Sequence, residues 1–130
     1  MESYIESIRS DELLARYIFH NRYFREDNTI RPDAFIPFPY PDLSVTRHLA
    51  LSGEQLQSIG LLIAAQQNKN LYGRVDVMTS VVTGLSLSVQ SAPTQDNPNH
   101  ANIIGWSLEK SEQKIIAQQI AASIHSTVRY

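Results

Sequence analysis

The chain has 130 residues, no Cys and a formal net charge of −2. That length suffices for one domain with a sizeable core, and the missing thiols exclude disulfides, thiolate catalysis and Cys-ligated zinc. The small net charge gives no global pull toward nucleic acid or an acidic membrane, and no apolar run approaches the roughly 20 residues of a bilayer-spanning helix. Eight of the eleven basic residues are Arg, so local recognition of an anion stays open.

Tyr4, Ile5 and Ile8 recur at helical spacing and suggest a short helix over Glu2–Arg9. Residues 1–12 are therefore a candidate separate N-terminal element within one domain of residues 1–130. This acidic, amphipathic start lacks the basic opening and apolar centre of a signal peptide, so a cytoplasmic setting is expected. Leu13–Phe19 is apolar and aromatic enough for a strand, with a helix as the alternative. His20–Glu26 interleaves Arg22 and Arg25 with Tyr23 and Phe24. Such a pattern can hold phosphate and stack bases. The acids Glu26 and Asp27 follow at once, which favours an edge segment with Arg stems lying over rings.

Asp27–Asp42 carries Pro32, Pro37, Pro39 and Pro41, which rules out a helix or a central strand. Phe35, Ile36, Phe38 and Tyr40 are too apolar for a disordered linker. The segment is expected to be an ordered, extended strap across the core. As a polyproline-like ligand it would instead dock on an aromatic-grooved partner. In Leu43–Leu49, Leu43, Val45, Arg47 and Leu49 share one face of a strand. Arg47 thus sits on the face that otherwise looks inward and needs a carboxylate or a bound anion. Ser52 and Gln55 form the S-x-x-Q capping box of a helix over about Gly53–Gln66, with Leu56, Ile59 and Ile63 on its apolar stripe.

Leu71–Val77 reads as a strand with Arg74 and Asp76 on one side, close enough to pair. Met78–Thr83 suggests a brief helix closed by Gly84. Leu85–Gln90 is an amphipathic strand with Leu85, Leu87 and Val89 inward. Ser91–Asn99 is a Pro/Asn/Asp loop. The stretch Asn97–Gln113 then combines a short strand with the start of the longest helix. His100, Asn102 and Ile104 fall on one strand face, Ala101 and Ile103 on the other. Gly105 permits a tight turn. Ser107 is the expected N-cap and Glu109 the acid of the first turn. The helix is expected over about Leu108–Ser126, with Ile116, Ile120 and Ile124 inward and His125 and Arg129 at its negative end.

The boxes R-Y-I-F (Arg16–Phe19), R-P-D-A-F-I-P (Arg31–Pro37), L-S-V-T-R (Leu43–Arg47), L-Y-G-R-V-D (Leu71–Asp76) and H-A-N-I-I-G-W (His100–Trp106) resemble those of a family of small bacterial proteins with no assigned activity. The likeness runs over most of the chain after about Leu14. It implies a bacterial origin and a single domain, and it brings no functional residue with it.

None of the phosphate-loop, dinucleotide, zinc-protease or nucleophile-elbow motifs occurs. The four histidines have no i, i+2 or i, i+4 pair, so no metal site and no cofactor are expected. His100 is the best candidate catalyst, since an imidazole can trade protons at neutral pH. Asn102, one strand repeat on, could orient a substrate. The simpler reading has His100 bonded to loop backbone. Arg47 and Arg74, with Lys110 near the helix start, are the candidate anion or ligand contacts. Both arginines could equally be neutralised by internal acids. Phe35, Phe38, Tyr40 and Trp106 are the candidate partner contacts.

These readings amount to an α+β fold: a mixed or antiparallel sheet of about four or five strands, with the two longer helices packed on one face. The leading functional expectation is an interaction or accessory module acting through a protein partner, with a homo-oligomer also compatible. The rival is a small enzyme or nucleotide- or phosphate-binding domain using His100 with Arg47 and Arg74. Binding of nucleic acid through His20–Arg25 is the weakest of the three.

Overall fold

The structure is a computed structural model and describes residues 8–130. The helix expected over Glu2–Arg9 lies mostly outside those residues, and Ile8 and Arg9 have no regular structure. Six strands form one antiparallel sheet: β1 (Leu13–Ile18), β2 (Leu43–Arg47), β3 (Gly73–Met78), β4 (Ser88–Ser91), β5 (His100–Ile104) and β6 (Ser126–Arg129). Their order across the sheet is β4-β5-β2-β1-β3-β6. Three α-helices accompany them: α1 (Gly53–Gln66), the short α2 (Thr79–Thr83) and α3 (Lys110–Ala121).

The pairing register of the strands fixes the two faces of the sheet. Leu14, Val77, Val45, Ala101 and Ile103 stand on one face, each paired with a residue of the same facing on the next strand. This face carries the main core, sealed by Ala117 and Ile120 of α3 and by Phe35, Phe24, Trp106 and Val82. Phe35, Ile120 and Leu14 are essentially inaccessible, and each such side chain contributes about 1.5–3 kcal/mol of apolar burial.

The opposite face holds Tyr17, Thr46, Arg74, Asp76, His100 and Asn102 by the same register. Helix α1 lies here. The Tyr17 hydroxyl donates to the Leu56 carbonyl at 2.6 Å, and a Cβ at Gly60 would stand 2.7 Å from the Tyr17 ring. The two longer helices therefore sit on opposite faces, which corrects the expectation that both share one. The cause is in the helix sequences. Leu56, Gly60 and Ala64 give α1 a narrow buried seam, suited to one aromatic ring. Ala117 and Ile120, with Ile116 and Ala121 beside them, give α3 the broader surface that the main core requires, and Ile124 adds to it just past the helix end.

The strand count also exceeds the expected four or five. The helix expected to run to Ser126 stops at Ala121, and Ser126–Arg129 pairs with β3 instead. The outer edge of β3 would otherwise expose its unpaired N–H and C=O groups, and Thr127 and Val128 have β-branched side chains suited to that edge. Ser107 does not cap α3 directly. Glu109 is the N-cap residue, while the Ser107 hydroxyl accepts from the Glu109 N–H at 3.1 Å and meets the Glu112 carboxylate. The capping box of α1 forms as expected: Ser52 Oγ accepts from Gln55 N–H, and Gln55 Oε1 accepts from Ser52 N–H at 2.8 Å.

The strap is ordered but not wholly extended. Pro32–Phe35 makes one 3-10 turn with Pro at its start, and α3 packs over it. Gly105 takes φ 94° just after β5, where a side chain would be strained.

Candidate functional site

Pairing between β1 and β2 covers only Leu14↔Arg47 and Ala15↔Thr46. Beyond that point β1 continues with β3 as far as Ile18↔Gly73, and β2 continues with β5 as far as Leu43↔Ile103. The sheet is split there. The split opens into a cleft of about 920 Å³, a size suited to a ligand or a short stretch of chain. One wall is the end of β1 with Arg16, Tyr17 and Phe19. The other is the start of β2 with Ser44 and Thr46, backed by His100 and Asn102 of β5. The strap from Asp33 to Asp42 closes one side, and Ile63, Gln67 and Lys69 at the end of α1 close the other.

Arg16 spans the split. Its Nε donates to the Ala34 carbonyl at 2.9 Å and its Nη1 to the Ser44 carbonyl at 2.9 Å. The guanidinium therefore pins the strap to β2 where ladder bonds are missing. Burial pulls its pKa down to about 10. The ion pairs among the described residues are Arg9–Asp11, Arg47–Glu12, His48–Asp76 and Arg74–Asp76. Among the described residues Arg16 has no carboxylate within the 4.0 Å of an ion pair.

His100 is on the cleft wall, and its Nδ1 lies 2.8 Å from the Ala92 carbonyl. A carbonyl can only accept, so Nδ1 carries the proton. In the neutral ring Nε2 is then the acceptor. The backbone bond expected for a His after this loop is present, and one ring nitrogen remains for a ligand. Asn102 shares the face and the cleft.

The two arginines of the sequence reading are elsewhere. Arg47 is on the core face, 4 % exposed, and holds Glu12 through Nε at 2.6 Å and Nη2 at 2.8 Å. Arg74 is on the face of His100 but outside the cleft, with Nε on Asp76 Oδ1 at 3.1 Å and Nη1 on the Tyr130 hydroxyl at 3.0 Å. The structure does not bring His100, Arg47 and Arg74 together. The reason is the pleat: Arg47 has the parity of Leu43 and Val45, whereas Thr46 is the residue opposite His100.

Asp76 centres the other polar cluster. It is 2 % exposed and takes Arg74, His48 Nε2 at 2.7 Å and the Ser126 hydroxyl at 2.8 Å. Burial alone would raise its pKa; the bonds from His48 and Ser126 and the charges of His48 and Arg74 outweigh it, so the carboxyl is held below its ordinary value. Burial likewise opposes the Arg74 charge, and Tyr130 and Asp76 more than restore it. Ser126 bonds to the carboxylate and not to the imidazole, so the cluster lacks the relay of a nucleophilic triad. It ties β2, β3 and β6 together.

Of the candidate contact residues, Phe38 and Tyr40 are 55 % and 71 % exposed at the cleft rim. Phe35 and Trp106 are buried and are not at the rim. Phe35 fills the core beneath α3, and the Trp106 indole donates to the Ile103 carbonyl at 2.9 Å. Lys110 stands 5.1 Å over the Phe38 ring, which brings the start of α3 to the same rim. In the His20–Arg25 segment Phe24 is in the core beneath Arg129, Tyr23 packs against that core, and the exposed His20 meets the Tyr23 ring at a tilt.

Sequence reasoning missed Arg16, Glu12 and His48. Arg16 carries the same signal as Arg47, a lone cation at inward parity, here between Leu14 and Ile18. Among the described residues no three His, Asp or Glu side chains are placed to hold a metal ion, and no helix is long and apolar enough to cross a membrane. Comparison of the chain with protein-family models, with curated proteins and with solved structures found no match.

Proposed function

We propose that the protein is a binding module that acts through a protein partner, with the rim of the split-sheet cleft as its contact surface. The observation that carries this reading is the exposure of Phe38 and Tyr40 beside the cleft, while the neighbouring strap residues Ala34, Phe35 and Pro37 are buried. A strap anchored by buried residues that holds two large rings out to water is what an aromatic contact site needs. The setting that fits is the cytoplasm of a bacterium, and a second copy of the chain is one form the partner could take. Selection from a library of random peptides displayed on phage tests the reading. The wild-type protein is expected to enrich a consensus, and the Phe38→Ala, Tyr40→Ala double variant to lose it while melting at the same temperature. Equal enrichment by both proteins would refute it.

A second reading, a small enzyme or a phosphate- or nucleotide-binding domain, is favoured by His100 and Asn102 sharing the cleft wall. Arg47 and Arg74 drop out of that site, and Arg16 takes their place. A thermal-shift screen against nucleotides and sugar phosphates tests it, and stabilisation at millimolar ligand that is lost in His100→Ala would support it.

A further inference from the structure

We propose that Arg16 forms an anion subsite inside the cleft, and that its ligand is a carboxylate of a bound peptide. The proposal rests on the binding-module reading and names the chemistry recognised at that site.

A guanidinium has five N–H donors. Two of those on Arg16 are used, by the Ala34 and Ser44 carbonyls. Five less two leaves three, all on the terminal nitrogens, without an acceptor among the described residues. The two carbonyl bonds fix the plane of the group, so the remaining donors are pre-oriented and little freedom is lost when an acceptor arrives. Partly buried guanidinium groups are ordinarily neutralised by an acid. The protein follows that rule at Arg47 with Glu12 and at Arg74 with Asp76. Arg16 departs from it, and Arg16 is the one of the three that lines the cleft.

The charge around the cleft selects the type of anion. Asp33 and Asp42 line it together with Lys69, so its field is mixed. A phosphate dianion would meet repulsion from both carboxylates, whereas a single carboxylate matches the planar fork with half the charge. Beside the polar wall of Ser44, Thr46, His100 and Asn102, the cleft is also lined by Tyr17, Ile36, Pro37 and Phe38, which suit the apolar side chains that flank a peptide carboxylate. That carboxylate has two sources, the chain end or an Asp or Glu side chain.

Two-dimensional NMR of the whole protein, observing the Arg Nε–H resonances at constant ionic strength, tests the proposal with small probes. N-acetylglycine stands for a chain end, N-acetylaspartate α-methylamide for a side chain, N-acetylglycinamide is the uncharged control, and inorganic phosphate is the competing anion. The expected result is a saturable shift of Arg16 Nε–H and of the Ala34 and Ser44 amides with at least one carboxylate probe and none with the amide. Binding should weaken at least about tenfold in Arg16→Lys, which keeps the charge and loses the fork. Which probe binds more tightly identifies the source. The proposal is overturned if Arg16 shifts no more than the exposed Arg22 and Arg25, if the amide acts equally, or if phosphate binds more tightly than both carboxylates. Should Arg16→Lys fail to fold, the wild-type titration alone decides. A negative titration alongside peptide selection that depends on Phe38 and Tyr40 would remove the subsite and leave the binding-module reading intact.

Discussion

Replacing Asp76 by Asn tests the claim that Arg74 is an internal structural cation. The carboxylate is 2 % exposed and is shared by Arg74, His48 and Ser126 at 3.1, 2.7 and 2.8 Å. Asn keeps the shape and one acceptor oxygen but removes the charge. Arg74 then keeps neutral acceptors, the Tyr130 hydroxyl among them, but loses its counter-charge in a site where its own side chain is 11 % exposed. Removing one partner of a buried pair costs about 3–5 kcal/mol, a large part of the roughly 5–15 kcal/mol that holds a domain folded. In urea the midpoint should fall by about 1–3 M, read through the fluorescence of the single, buried Trp106. The pH dependence has a definite sign. Asp76 is held below its ordinary value of 3.8, so its contribution is whole above that pH and is lost as the pH falls through the folded-state value. The gap between wild type and variant should therefore be widest near neutrality and shrink below about pH 4. A loss under about 1 kcal/mol at neutral pH, or a gap that does not change with pH, would refute the pairing and return Arg74 to the list of available cations.

Three smaller perturbations probe the opposite helix layer. Tyr17→Phe removes the 2.6 Å bond to the Leu56 carbonyl and should cost about 1–2 kcal/mol in urea unfolding. Burial pushes the Tyr17 hydroxyl up to about 12 from 10.0; wild-type stability should decline as the pH rises from 10 toward 12, and Tyr17→Phe should show less of that decline. Gly60→Ala places a methyl 2.7 Å from the Tyr17 ring and 2.9 Å from Leu71; a loss of about 1–3 kcal/mol is expected, and an unchanged midpoint would mean that α1 is not seated on Tyr17. Ser52→Ala deletes half of the capping box and should lower stability by about 1 kcal/mol, with reduced helix signal in circular dichroism near the start of unfolding.

The elements that the sequence made legible are those with a local cause. The box Ser52–Gln55 marked the start of α1, Gly84 closed α2, alternation found β2, β3 and β5, and apolar, aromatic content marked β1 with a helix as the alternative. What stayed hidden depends on partners distant in the chain. Ser126–Arg129 carries no strong strand pattern of its own and becomes β6 because β3 offers an edge. Leu85–Ser91 has the expected inward residues, yet pairing begins only at Ser88, after Ser86 adopts φ 64°. The site was half legible for the same reason. Parity correctly set His100 and Asn102 on one face and Arg47 on an inward one, but which acid reaches which arginine is a tertiary fact. The apolar count of the proline strap foretold its order and could not say that Phe35 turns in while Phe38 and Tyr40 turn out.

The central claim is that the split between β1 and β2 is the working surface of the molecule. Amide chemical-shift mapping of the ¹⁵N-labelled protein with a peptide selected against it tests that claim most directly. The largest changes are expected at Arg16–Phe19, Phe38–Val45, the end of α1 near Gln67, and His100–Asn102. Changes concentrated instead on the outer faces of the helices, at Leu61, Leu62 and Ile115, with the cleft residues unmoved, would contradict it.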